Sequence, residues 1–157
     1  MRMVKFIKDF CRRTNGAAMA EAAIVLPLLV LLLGAAAEIG RFMYCYNTLA
    51  KATRSSARYI CTRELDGSNG PAANLSEAKN IAVYGNTAGT GAKVLNDPNF
   101  TTANITISPT SGTPQTVTVS ITGYSFAPIF SFGPLQSLSV PISPSTTMRY
   151  LINTPIE

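Results

Sequence analysis

The pattern of apolar and polar positions divides the chain into a helical N-terminal part and a strand-like C-terminal part. An apolar run extends from Ala17 to Ala37, and its length of about 20 residues is that of a membrane-spanning helix. Pro27 lies inside the run, where it should kink the helix modestly, as membrane helices tolerate. Glu21 is the one charged residue of the run, and an ionisable group in such a segment usually has a function.

The helical pattern continues beyond the apolar run. Apolar or small residues recur there at spacings of three and four, which predicts an amphipathic helix with one packing face. The predicted packing face comprises Ile39, Phe42, Tyr46, Leu49, Thr53, Ala57 and Ile60. Lys51, Arg54 and Arg58 fall on a different face, which is either solvated or a contact for an acidic partner.

The pattern changes after Arg63, where a turn-rich connection occupies residues 66–71. A short helix is predicted after this connection. Ser76 is expected to cap its N-terminus, and Gly85 is expected to stop it directly after Tyr84. A loop should follow, because the next residues show no apolar periodicity.

Alternation of apolar residues with serine and threonine predicts strands in the rest of the chain. Residues 105–108 and 116–122 should form an antiparallel hairpin with one apolar face. Residues 138–142 contain Pro141, which favours an edge strand, and residues 146–151 are a candidate last strand.

An aromatic loop lies between these strands. Its apolar residues are Tyr124, Phe126, Ile129, Phe130 and Phe132. The loop is interpreted either as part of the core or a lid over the sheet, or as a contact for a partner. The predicted fold class is α+β, with a long N-terminal transmembrane helix, its amphipathic extension, and a small antiparallel β-rich extracytoplasmic domain.

Charge and composition narrow the possible functions. Five basic residues precede the apolar run, namely Arg2, Lys5, Lys8, Arg12 and Arg13. Their position favours a cytoplasmic N-terminus over nucleic-acid binding. Histidine is absent, which removes the commonest general base and transition-metal ligand. No catalytic triad or phosphate-binding loop is visible, so we expect no enzyme, no cofactor and no metal site.

Two cysteines follow the apolar run, Cys45 and Cys61. On one straight helix they would be about 24 Å apart, beyond the reach of a disulfide. They are interpreted as small apolar helix residues, or alternatively as groups that form an intermolecular link.

One segment resembles a known family. Gly16 is followed by small residues and by Glu21, and Pro27 interrupts an aliphatic run. The sequence Glu38-Ile39-Gly40-Arg41 closes the segment. These residues resemble the TadE-like family of the tight-adherence (Tad) pilus system. Ala22 stands where an aromatic residue is frequent in the family, which favours a minor subunit over the main filament subunit.

The resemblance implies a minor pilin or pseudopilin that takes part in pilus assembly. A prepilin peptidase would cut between Gly16 and Ala17, so the domains would be a leader (1–16), a transmembrane and extended helix (17–62) and an extracytoplasmic domain (63–157). Glu21 would act in assembly. The implied partners are this peptidase, other Tad pilins and pseudopilins, the inner-membrane assembly machinery and membrane lipid. The implied location is the bacterial cytoplasmic membrane, with a single pass, or a surface pilus.

Two other interpretations remain open from the sequence. Residues 35–37 form an Ala-x-Ala site after an apolar core, which is typical of an ordinary signal peptide and would give a secreted protein starting at Glu38. Alternatively, the chain is an uncut, single-span anchored binding module that uses its aromatic loop. The N-terminal residue of the mature protein distinguishes the three, since it would be Ala17, Glu38 or Met1.

Overall fold

The computed structural model of the protein describes residues 15–62, 74–110, 115–129 and 139–150. The predicted α+β architecture is confirmed, with one long apolar helix followed by small antiparallel sheets. Helix α1 comprises Asn15–Cys61. Contacts divide the chain into two units, Met1–Gly40 and Arg41–Glu157, so α1 contributes residues to both.

The described part of the first unit is the apolar part of α1. Every side chain from Ala17 to Leu33 is exposed, with Ile24 exposed to 78% and Leu33 to 75%. Pro27 lies inside the helix without ending it. By length and composition α1 is able to cross a membrane, and its uncovered aliphatic surface is compatible with a membrane anchor.

The second unit contains the rest of α1, a second helix and two small sheets. Helix α2 comprises Leu75–Tyr84. The strands are β1 (Ile105–Thr110), β2 (Thr116–Ile121), β3 (Ser125–Phe126), β4 (Val140–Pro141) and β5 (Ser145–Arg149). Strands β1, β2 and β5 form an antiparallel sheet in the order β1-β2-β5, and β3 pairs with β4 in a second one.

The hairpin that the alternating pattern predicts is confirmed. Strand β2 buries Val117, Val119 and Ile121, while its serine and threonines are only half-buried. Ile105 of β1 lies opposite Ile121, so the apolar faces of the two strands coincide. The apolar alternation thus sets the register, because a shift by one residue would turn every apolar side chain away from the core.

The core of the second unit lies between this sheet and the two helices. Phe100 has no exposed surface and packs edge-on against Tyr124, with ring centroids 5.6 Å apart. The remaining core residues come from all the elements around it, including Leu49 and Ile60 of α1, Val83 of α2 and Ile142 after β4. Burial of these side chains is the main force that assembles the unit.

The boundaries of α2 confirm one sequence prediction and correct another. Tyr84 ends the helix, and Gly85 follows in the left-handed conformation with φ 73°, as a C-terminal cap requires. The predicted N-cap is wrong. Asn74 occupies the cap position without a capping hydrogen bond from its side chain, and Ser76 lies inside the first turn.

The packing face of α1 also differs from the predicted one. Leu49, Thr53, Ala57 and Ile60 are buried as expected, and Phe42 is half-buried. Ile39 and Tyr46 are instead exposed to 63% and 44%. The buried positions that the prediction missed are Cys45, Ala52, Ser56 and Cys61. They are small residues, which carry a weak hydropathy signal but allow another backbone to approach closely.

Several sequence predictions concern residues outside the described parts of the chain. They are the basic leader, the turn-rich connection at 66–71, Phe130, Phe132, Leu138 and Leu151. Of the described members of the aromatic loop, Tyr124 and Phe126 are buried in the core, whereas Ile129 is exposed to 70%. The core interpretation therefore holds for the first two.

Candidate functional site

The predicted processing and assembly residues lie in the first turns of α1. Gly16 is half-buried, and Ala17 and Glu21 are exposed. Ala17 and Glu21 are four residues apart, which places them as neighbours on the surface of a helix. The carboxylate is therefore one turn from the position at which the predicted cleavage would create a new amine.

Glu38 and Gly40 follow the apolar run in the same helix. Glu38 is half-buried, and Gly40 is exposed. A Cβ atom added to Gly40 would meet no other atom within 4 Å. The conformation of the single chain therefore does not explain a glycine at this position, which costs about 0.5–1 kcal/mol relative to alanine in a helix.

Arg41, the last residue of the Glu-x-Gly-Arg sequence, joins α1 to β3 and to the residue that follows it. Its guanidinium group donates a hydrogen bond to the carbonyl oxygen of Ala127. The same group stacks over the ring of Phe126 at 4.2 Å from the centroid. Phe42 packs edge-on against that ring, with centroids 5.5 Å apart. Two consecutive residues of α1 thus hold the aromatic segment by a cation–π and an aromatic contact.

A short chain of polar contacts lies beside Arg41. The hydroxyl of Tyr124 donates to Asp97 Oδ2 at 2.8 Å, and the sulfur of Cys45 lies 3.7 Å from the same hydroxyl. Burial raises the pKa of Tyr124 well above its ordinary value, and the hydrogen bond with the Asp97 carboxylate raises it further. The tyrosine is therefore a neutral donor that fixes Asp97 against the helix. Cys45 and Cys61 are both buried, and neither forms a disulfide with another described residue of the chain.

Lys93 organises the loop that carries Asp97. Its ammonium group donates to three backbone carbonyl oxygens, those of Asp97 at 3.2 Å, Pro98 at 3.3 Å and Phe100 at 2.7 Å. A cleft of about 310 Å³ lies between this loop, Arg41 and Tyr124. The charged groups that line the cleft already have protein partners. We therefore interpret the cleft as part of the packing contact between the helix and the loop.

Hydroxyl groups connect α1 to the rest of the second unit. Ser56 is completely buried and donates to the carbonyl oxygen of Ala78 in α2 at 2.8 Å. The hydroxyl of Tyr59 donates to Glu77 at the start of α2. Thr53 shares a hydrogen bond of 3.0 Å with Thr146 of β5. These contacts fix the rotation of α1 and thereby decide which of its faces remains exposed.

The described residues contain no group of three or more side chains of the kinds that commonly hold a metal ion. What distinguishes this part of the molecule is α1 itself, with its exposed apolar part and its firmly anchored second half. Residues 16–58, nearly all of this helix, match the family model described as TadE-like protein.

The chain carries a TadE-like helix. The match begins at Gly16, includes Glu21, Pro27 and Arg41, and ends at Arg58, so the family resemblance seen in the sequence is confirmed. It relates the chain to the pilins of Tad pili. Neither the curated proteins nor the solved structures contain a significant match to the chain.

The TadE-like helix includes contacts of Arg41, Cys45 and Ser56 with Ala127, Tyr124 and Ala78, which lie outside the matched segment. Sequence reasoning selected Arg41 from its motif but gave no indication of Ala127 or Phe126 as its partners. It also did not predict the burial of Ser56. This serine lies three residues after Thr53 and four before Ile60, which is the spacing of one helix face. The local sequence around Lys93 and Asp97 does not predict their hydrogen bonds, because the path of a loop determines their partners.

Proposed function

We propose that the chain is a minor pilin or pseudopilin that takes part in the assembly of a Tad-type adhesion pilus. The observation that carries the proposal is the TadE-like match over residues 16–58, which coincides with one helix whose apolar part is uncovered. Such a helix needs lipid or other helices around it. The helix of a pilin lies in the membrane before assembly and in a bundle of helices afterwards.

The proposed maturation starts with a prepilin peptidase that cuts between Gly16 and Ala17. The basic residues before the cut hold the N-terminus in the cytoplasm, which directs the sheets of the second unit to the outside. The serine- and threonine-rich strands suit an exported domain. The inner-membrane assembly machinery then brings the subunit together with other Tad pilins and pseudopilins.

Glu21 has a specific role in this proposal. Cleavage creates a positively charged amine at Ala17, and the carboxylate of Glu21 on a neighbouring subunit neutralises it. Each charge alone is costly in an apolar bundle, and the pair compensates both. The pairing also fixes the axial register of adjacent helices, because only one offset brings the two groups together.

The proposal is tested by complementing a deletion strain with variants at Glu21 and measuring surface pili and adhesion. Glu21→Ala removes a charge from an apolar segment, so insertion should become easier and not harder. We expect it to be inserted, cleaved and folded but absent from pili, with Glu21→Gln equally defective and Glu21→Asp partly so. Normal pili in the deletion strain would refute the proposed function. Full assembly of Glu21→Ala would refute only the charge pairing.

An ordinary signal peptide or an uncut anchor is the alternative. Under either one, the residue at position 21 has no role in assembly, and the deletion leaves pili unchanged. A second experiment tests whether the wild-type chain co-purifies with other Tad components from detergent-solubilised membranes. We expect co-purification if the chain is a pilin, and none if it has an ordinary signal peptide or an uncut anchor.

A further inference from the structure

The part of α1 that belongs to the second unit has an exposed face directly opposite its buried face. We call this the outer face; it comprises Tyr44, Asn47, Lys51, Arg54 and Arg58, all of which are exposed. Their spacings of three, four, three and four give an average period of 3.5 residues. That period is the one at which a helix presents a continuous seam to another helix.

The outer face carries positive charge that the described residues do not neutralise. Lys51, Arg54 and Arg58 make no hydrogen bond or ion pair with any described residue through their side chains. The described carboxylates of the second unit, Glu77 and Asp97, are engaged by tyrosine hydroxyls elsewhere. Like charges at spacings of three and four disfavour an isolated helix, so an external negative partner would relieve the repulsion.

The position of the charges favours a protein partner over lipid headgroups. Lys51 is 10 residues beyond Arg41, which follows the apolar part of α1, and Arg58 is 17 residues beyond it. At 1.5 Å per residue these are about 15 and 25 Å of helix. The attraction of a charged membrane surface falls off within a Debye length of about 8 Å.

The α1 helix of a second copy, aligned in register, does not supply the complementary charge. Copies side by side in register would bring the same three cations together. The nearest acidic residue before Lys51 on α1 is Glu38, about 20 Å away along the helix. Neutralisation by an adjacent helix therefore requires a different sequence, with carboxylates at the corresponding positions.

We propose that the outer face docks an acidic amphipathic helix of a different subunit of the same assembly. Tyr44, exposed to 67%, supplies the large apolar contact at one end of the seam. Lys51, Arg54 and Arg58 pair with carboxylates at the other end and discriminate against self-association. This inference rests on the proposed function, since it requires a multi-subunit pilus assembly.

The test uses the full-length chain in living cells, with the photo-reactive residue p-benzoylphenylalanine in place of Asn47. We expect crosslinking to one other pilus subunit, at a helical segment with acidic residues three or four positions apart. The triple variant Lys51→Glu, Arg54→Glu, Arg58→Glu should lower the yield about tenfold, as expected for three exposed ion pairs. Lysines in place of the partner's acidic residues should restore it. Arg149→Glu, an exposed basic position on β5, is the matched control for Arg54→Glu and should change nothing.

Several outcomes would overturn the inference: no crosslinked subunit, a second copy of the chain or lipid as the main product, or a yield that the reversed charges leave unchanged. If the triple variant is degraded, the crosslinking yields of the single variants Arg54→Glu and Arg58→Glu test the inference instead.

Pilus counts separate the two proposals. If deletion abolishes pili and the folded triple variant restores them fully, the docking face is wrong and the proposed function stands; if deletion leaves pili intact, the proposed function itself fails.

Discussion

Arg41 lies over the ring of Phe126, with its guanidinium carbon 4.2 Å from the ring centroid. The two residues are far apart in sequence, and one belongs to the TadE-like segment while the other does not. The same guanidinium also donates a hydrogen bond to Ala127. Arg41 therefore anchors the helix to the aromatic strand that follows β2, and the contact is open to direct measurement.

Removal of the Arg41 side chain should destabilise the second unit. Arg41→Ala loses both the cation–π contact and the hydrogen bond, and we expect a cost of about 1–2 kcal/mol in the free energy of unfolding. Arg41→Lys should cost less, since an ammonium group keeps the charge but not the planar fork. Urea unfolding of the full-length chain in detergent, followed by near-ultraviolet circular dichroism of the tyrosines, measures this. Arg54→Ala is the control and should be neutral.

The two buried tyrosines should respond differently to loss of their hydroxyl groups. Tyr124 donates to Asp97, whereas the hydroxyl of Tyr150 is buried with no hydrogen-bond partner among the described residues. Tyr124→Phe should cost about 1–3 kcal/mol, because it leaves Asp97 Oδ2 without its hydroxyl donor. Tyr150→Phe removes an unsatisfied group and should be neutral or stabilising. The same urea unfolding assay measures both variants. Equal losses in the free energy of unfolding would contradict this assignment of hydrogen bonds.

Alkaline pH should destabilise the fold. Burial raises the pKa of both Tyr124 and Tyr150. Above pH of about 10 the unfolded chain loses these protons and the folded chain keeps them, so the contribution of the two tyrosines to stability is full below that pH and falls as pH rises. Each tyrosine contributes up to about 1.4 kcal/mol per pH unit in this range. The double variant Tyr124→Phe, Tyr150→Phe should therefore show a shallower loss between pH 10 and 11, and an unchanged slope would count against the account.

The close contact between α1 and α2 predicts a contrast between adjacent serines. Ser56 is fully buried against the Ala78 carbonyl, and Ser55 is exposed on the same helix. Ser56→Leu should destabilise by about 3 kcal/mol or more, because it loses a buried hydrogen bond and overpacks the contact. Ser55→Leu makes the same chemical change in solvent and should be nearly neutral. Protease resistance of the full-length chain in membranes would report the difference.

The sequence predicts those elements that depend on local periodicity. The hairpin follows from the alternation around Ile105 and Val119, and the C-terminal stop of α2 follows from Gly85. Hydropathy predicts burial of Ile39 and Tyr46, which are exposed, and gives no signal for Ser56, which is buried where α2 approaches closely.

Long-range contacts at the candidate site are beyond such reasoning. Arg41 could be selected from its motif, but its position over Phe126 depends on how the segment after β2 returns to the helix. The Tyr124–Asp97 hydrogen bond depends on the loop that Lys93 holds through three carbonyl groups. Such contacts depend on the tertiary path of the chain, which hydrophobic periodicity does not predict.

We propose that this chain is a pilin-like subunit that matures by cleavage after Gly16. The most direct test is N-terminal sequencing, with intact mass, of the full-length product purified from membranes of cells that contain the prepilin peptidase. We expect a mature protein that begins at Ala17, and an uncut precursor in cells that lack the peptidase. A mature protein that begins at Glu38 or retains Met1, or cleavage at Ala17 without the peptidase, would contradict it.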